Sequence, residues 1–129
     1  MKDLKQLGKF RMEKENRLWL TIENKNLVKT CEKLKHEYGV RRVISISGYD
    51  AGKTIEVIYH LELGHGILNL KTEVSKRTNT VDSIVSVFPS ANLFERELAE
   101  MLGLRVTGHP NLKKLFLPKE INHPLRKGD

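Results

Sequence analysis

Between Thr54 and Ser75 the chain alternates apolar and polar residues with a period of two, interrupted once at Gly64-His65. Ile55, Val57, Tyr59, Leu61 and Leu63 fall on one side of the first segment, against Glu56, His60 and Glu62 on the other. In the second segment Leu68, Leu70, Thr72 and Val74 share a side. Successive side chains of a strand point to opposite faces, so the pattern predicts two half-buried strands, Thr54 to Leu63 and Gly66 to Ser75. The tight connection between them makes an antiparallel hairpin. A further strand is expected over Val40 to Ser47. The intervening Gly48-Tyr49-Asp50-Ala51-Gly52-Lys53-Thr54 is superficially like a phosphate-binding loop. It has three residues between its glycines where the nucleotide pattern needs four, and it leads into a strand, not a helix. A glycine-containing hairpin turn is the better reading.

Upstream, Leu18-Trp19-Leu20-Thr21-Ile22 alternates as a strand, and Leu27, Cys31, Leu34 and Tyr38 recur at helical spacing. That helix is expected to be capped by Asn24 or Asn26 and stopped at Gly39. Residues 1 to 17 are polar and lysine-rich, with Leu4, Leu7, Phe10 and Met12 as the only apolar points of an irregular or short helical lead-in. Lys76 to Asn79 form a polar turn, and Val81, Ile84, Val85 and Phe88 suggest a short helix. Strand, helix and strand meander together give an α+β fold, a mostly antiparallel sheet with helices packed on one face.

In the run Phe88 to Gly103, Asn92 followed three residues later by Glu95 has capping-box spacing, so a helix is expected from near Leu93. Phe94, Leu98, Met101 and Arg105 mark its apolar stripe, and Gly103 suits the left-handed residue that ends a helix. The other face carries Glu95, Arg96, Glu97 and Glu100. It reads either as a solvated face with acids near the positive helix terminus or as an interface where Arg96 forks onto another chain. Beyond Gly103, Leu104, Val106, Leu112, Leu115, Phe116 and Leu117 mix with basic residues and Pro110, Pro118 and Pro124. This composition fits an extended arm laid across a partner. The expected organisation is a core domain over 1–88 and a helix plus docking arm over 89–129.

The residues argue against several chemistries. The single cysteine, Cys31, forms no internal disulfide and holds no iron-sulfur cluster, and on the apolar helix stripe it reads as a core residue. His36, His60, His65, His109 and His123 show no metal-ligand spacing. His109, held extended by Pro110, is expected to fix the chain's path through a backbone hydrogen bond. Glu95, Glu97 and Glu100 have no accompanying His or Ser in the sequence pattern, which disfavours acid-base catalysis. No apolar run is long enough to cross a bilayer and the first residues lack a secretory leader, so an intracellular location is expected. The formal net charge of +7 is spread from Lys2 to Lys127 without interleaved aromatics. A small basic nucleic-acid-binding module is therefore the alternative to docking on acidic partners or lying near an anionic membrane surface.

The ordered set Pro89-Ser90-Ala91-Asn92, Glu95-Arg96-Glu97-x-x-Glu100-Met101-Leu102, Gly108-His109-Pro110-x-Leu112-Lys113-Lys114-Leu115 and Leu117-Pro118 resembles the signature of the 30-kDa subunit family of respiratory complex I. That family extends to small subunits of energy-converting membrane-bound hydrogenases, and the short chain is more similar to those compact versions. Residues 88 to 118 carry the resemblance, whereas 1 to 87 agree in general pattern. Phe116 stands where smaller aliphatics are usual, Glu100 where the complex I branch commonly has Asp, and Met101 where an aromatic often stands. The resemblance implies a subunit with no catalytic, cofactor or metal site of its own. It implies a hetero-oligomer with a NiFe-hydrogenase-like large subunit and a small iron-sulfur subunit, at the cytoplasmic side of the membrane. Iron-sulfur clusters and a NiFe-type centre would belong to those partners. The residues expected to dock are Glu95, Arg96, Glu97, Glu100, His109, Pro110, Lys113, Lys114, Leu117 and Pro118.

Overall fold

A computed structural model describes residues 4–110 of the chain. Strands β1 (Lys9–Lys14), β2 (Arg17–Thr21), β3 (Val40–Asp50), β4 (Thr54–Leu63) and β5 (Gly66–Ser75) form one five-stranded sheet in the order β1-β2-β5-β4-β3. All its pairings are antiparallel except β2 with β5. Helix α1 (Leu27–Glu37) carries the chain from β2 to β3, which run in the same direction at separated places in the sheet. Parallel strands need such a crossover, and the β4–β5 hairpin fills the gap it leaves.

The two ten-residue strands begin and end where their alternation predicts. Ile55, Val57, Tyr59 and Leu61 of β4 and Leu68, Leu70, Thr72 and Val74 of β5 are buried on one face of the sheet. Leu27, Cys31 and Leu34 of α1 close over that face, and Gly39 ends the helix with φ +77°. No asparagine side chain caps α1: a single 3-10 turn, Asn24–Asn26, leads into it, and Asn24 Nδ2 donates instead to the Thr80 carbonyl at 2.9 Å. Strand β3 runs on to Asp50, and the loop after it is a hairpin turn. Asp50 Oδ1 accepts from the Gly52 amide at 2.8 Å and the Ala51 amide donates to the Thr54 carbonyl at 2.8 Å.

Two expectations fail. The lead-in is neither irregular nor helical beyond the 3-10 turn Leu4–Gln6, since β1 occupies Lys9–Lys14. Phe10 and Met12 are two apart and stand opposite Leu20 and Leu18, so an established neighbour strand supplies the order that their own sparse apolar content does not. The short helix expected around Val81 to Phe88 is likewise absent. Instead β6 (Thr80–Asp82) pairs in parallel with β7 (Arg105–Thr107) as a separate two-stranded sheet. Val81 and Val106 are buried by this pairing, and Ile84, Val87 and Phe88 are buried in the following turn.

Helix α2 (Asn92–Leu102) links β6 to β7 and packs against β3. The contact is close because Gly48 lies beneath it. A Cβ at that position would stand 2.6 Å from the Cδ1 atoms of both Leu98 and Leu102. Leu98, Leu102, Phe88 and Ala91 share one continuous core with Leu20, Leu70 and Tyr59.

Candidate docking site

The approach to α2 is fastened on several sides. Ser90 Oγ accepts from the Val43 amide and lies equally close to the Val43 carbonyl, 3.2 Å in each case, where β3 departs from regular pairing. Lys35 Nζ of α1 donates to the Val87 carbonyl at 3.0 Å. Pro89 opens a 3-10 turn, Pro89–Ala91, in which the missing amide of proline costs nothing because that donor would be unpaired anyway. The helix begins at Asn92 with helical backbone angles and has no side-chain cap, so the capping box is not formed. At the other end Gly103 adopts φ 71°, ψ 22° and its amide donates to the Ala99 carbonyl at 2.9 Å, the left-handed stop expected from the sequence.

Glu95, set free from capping, turns inward. Only 1% of it is exposed. Its Oε1 accepts from Ser83 Oγ at 2.6 Å and its Oε2 from the Ile84 amide at 2.7 Å. His109 Nε2 stands 3.9 Å from Oε1 and donates to the Asn92 carbonyl at 3.0 Å. Both oxygens facing Nε2 are acceptors, so that nitrogen carries a proton. Burial holds the Glu95 carboxyl above the usual range, against the lowering pull of Ser83, Ile84 and His109. A Ser and a His do therefore converge on this carboxylate, contrary to expectation. The His109 side chain is 0% exposed, so the group is an internal clasp closed to substrate.

The buried stripe of α2 accordingly reads Ala91, Glu95, Leu98 and Leu102 instead of Phe94, Leu98, Met101 and Arg105. Turning Glu95 inward turns Leu93 and Met101 outward, where they are 65% and 39% exposed. Glu97 lies exposed between them, and Arg96 and Glu100 are half-buried at the margins. After β7 the chain returns to the start of α2, since His109 reaches Asn92, and Pro110 is exposed beside it. Lys113, Lys114, Leu117 and Pro118, like the whole expected arm, lie outside the described residues. The structure thus places Arg96, Glu97 and Glu100 on the outward side of the helix, leaves Pro110 exposed next to His109, and separates Glu95 and His109 from that side by burying their side chains. The sequence pattern marks Leu93 only as the start of the helix, because an isolated leucine next to a presumed cap carries no signal of which way it faces.

Among the described residues no three His, Cys, Asp or Glu side chains gather as a metal site would need, and no helix is long and apolar enough to cross a membrane. Cys31 is buried and its thiol is pushed up to about 12 by desolvation, then by the Glu95 and Glu32 charges, which makes it a poor nucleophile. Several basic side chains are engaged by carboxylates: Lys71 by Glu56, Lys76 by Asp50 at 2.7 Å, and Arg42 by Glu62 at 3.4 Å.

Comparison with known proteins gives a consistent answer. The fold is shared with a chain of an archaeal membrane-bound sulfane sulfur reductase, at a TM-score of 0.84 and 18% identity over 94% of this chain and 76% of that one. It is shared also with a trypsin-resistant fragment (1–134) of Nqo5, at a TM-score of 0.71 and 19% identity over 81% and 89%. In sequence the chain is 32% identical to the C-subunit of the F(420)H(2) dehydrogenase of Methanosarcina mazei, over 90% of this chain and 77% of that protein. It is 35% identical to the C-subunit of the NADH-quinone oxidoreductase of a Methylobacterium species, over 85% of this chain but only 54% of that protein. Such longer relatives are spanned over about half their length. The model of the respiratory-chain NADH dehydrogenase 30 Kd subunit matches residues 20–128. That match covers strands β3 to β7, both helices and the signature, and the chain belongs to the 30 Kd subunit family of respiratory-chain NADH dehydrogenase.

Proposed function

We propose that this chain is a cofactor-free structural subunit of a membrane-associated oxidoreductase complex of the complex I or membrane-bound hydrogenase type. Its docking element is the outward face of α2 together with Pro110 and the arm beyond it, and the surface it seats on is the NiFe-hydrogenase-like large subunit. The small iron-sulfur subunit lies alongside, and electrons pass through clusters and a metal centre held by those partners. The chain sits peripherally at the cytoplasmic side of the membrane.

The observation that carries this reading is the outward placement of Leu93 and Met101 on a helix whose inner face is already filled. Two large apolar side chains eight residues apart line one side of a helix, beside an exposed proline from which a Lys- and Leu-rich segment continues. Exposed apolar groups rimmed by charge mark association surfaces. The names of its relatives agree in kind, for they are subunits of dehydrogenases or a chain of a respiratory membrane complex. The nucleic-acid alternative gains no support from the comparisons, and Arg42, Lys71 and Lys76 are engaged by carboxylates of the chain itself.

The test is affinity purification of the tagged chain from its own membranes after mild detergent extraction. Companions that include a NiFe-hydrogenase-like large subunit and an iron-sulfur protein are the expected result. Recovery of the chain alone, or with nucleic acid, would overturn the assignment.

A further inference from the structure

The face of the sheet turned away from both helices carries a hydrogen-bonded line of side chains that docking does not use. His60 of β4 stands opposite Asn69 of β5 on one side and opposite Ser45 of β3 on the other, with Ser47 diagonal to it. Asn69 Oδ1 lies 2.6 Å from His60 Nδ1, and Ser47 Oγ lies 2.8 Å from His60 Nε2. A carbonyl oxygen only accepts, so Nδ1 carries the ring proton. The unprotonated Nε2 of the neutral ring then accepts the hydroxyl proton of Ser47. Asn69 is only 7% exposed, which holds its amide and therefore the ring in one orientation, whereas Ser47 is open to solvent.

This is the arrangement of an activated nucleophile: a hydroxyl, a base within hydrogen-bond reach, and a third group that fixes the base's tautomer. Ile58 lies opposite Ser47 in the register, and Tyr49 follows it on the same side of β3 with its ring exposed. These two offer an apolar bearing surface for a flat leaving group. Ser47 lies inside a strand, not at a turn or helix start that would gather amide donors around an oxyanion, and a phenolate departs far more readily than a serine alkoxide, so acylation should outpace deacylation.

We propose that Ser47, with His60 as general base and Asn69 as positioning residue, is an acyl-accepting nucleophile toward activated esters. Ser47 Oγ forms a bond to the acyl carbon while its proton passes to His60 Nε2. The bond from that carbon to the leaving oxygen breaks, and the departing phenolate takes the proton from His60. The product is an O-acyl serine and a free phenol.

The probe is p-nitrophenyl acetate, applied to the full 129-residue chain. We expect a burst of p-nitrophenol approaching one equivalent, with the acetyl group located on Ser47 by peptide mass spectrometry. Positioned general bases contribute roughly 10²–10⁴-fold, so His60→Gln should slow Ser47 acylation at least about tenfold. Asn69→Ala should slow it, and Asn69→Asp, which keeps an acceptor for Nδ1–H, should restore it. Acetylation of Ser47 no faster than of Ser45 in the folded wild-type chain would overturn the proposal. So would His60→Gln acylating at the wild-type rate, or failure of Asn69→Asp to rescue while its circular dichroism matches wild type.

Discussion

Glu95 enters the interior because two donors and a third, more distant one meet it there. The Ile84 amide and the Ser83 hydroxyl would otherwise be enclosed without an acceptor, whereas the His109 ring also has the Asn92 carbonyl. An enclosed donor without a partner costs about 1–3 kcal/mol, so Glu95→Ala should lower unfolding free energy by about that amount in urea titrations. Glu95→Gln keeps an oxygen for Ile84 and an amide that donates to Ser83, and should cost less. The pH dependence separates charge from hydrogen bonding. Burial raises the folded-state carboxyl above its unfolded value, so the folded chain binds the proton more tightly. Stability from this group is therefore fully present below the unfolded value and is lost as pH rises through the folded one. Wild type should lose stability relative to Glu95→Gln as pH rises above the unfolded carboxyl's usual pKa of about 4.3. A parallel pH course for the two proteins would argue that the carboxyl is not buried.

At the scale of elements, what could be read in advance follows the length and contrast of the hydrophobic pattern. Strands β4 and β5 are legible because ten residues of alternation leave one register. The apolar spacing of Leu27, Cys31, Leu34 and Tyr38 likewise fixes the inner side of α1. Strands β6 and β7 have three residues each, too few for any period, and only a long-range pairing defines them. Helix α2 was placed at the correct site but rotated. Hydropathy favours Phe94 and Met101 over Glu95, and no local pattern announces that Ser83, twelve residues earlier, donates to that glutamate. Two expected outcomes follow for these elements. Gly48→Ala would press a methyl into Leu98 and Leu102, both buried, and should destabilise the chain by about 1–3 kcal/mol in denaturant unfolding. His109→Phe removes the bond to the Asn92 carbonyl while keeping a ring, a loss of about 0.5–1.5 kcal/mol. If the clasp anchors β7, amide exchange over Arg105–Thr107 should accelerate in that variant while β4 and β5 are unchanged.

At the scale of the whole molecule, one sheet face is closed by α1 and α2, and α2 turns its inner side to β3 while Leu93, Glu97 and Met101 stay exposed. The signature motif thereby divides into two kinds of residue. Glu95 and His109 hold the helix and the returning chain together, whereas Arg96, Glu97 and Glu100 flank the outward Leu93 and Met101 and Pro110 is exposed. Recognition of the family rested on the order of these residues, which sequence preserves, whereas their division into inner and outer sets needed the fold. The central claim is that the outer set docks. Its most direct measurement is quantitative co-purification of the large subunit with the Leu93→Glu/Met101→Glu double variant, with thermal unfolding followed in parallel. Charges on this exposed face should leave the melting temperature nearly unchanged and reduce recovery of the large subunit at least about tenfold, the effect of about 1.4 kcal/mol at the interface. Full recovery of the large subunit with a stable double variant would contradict the account.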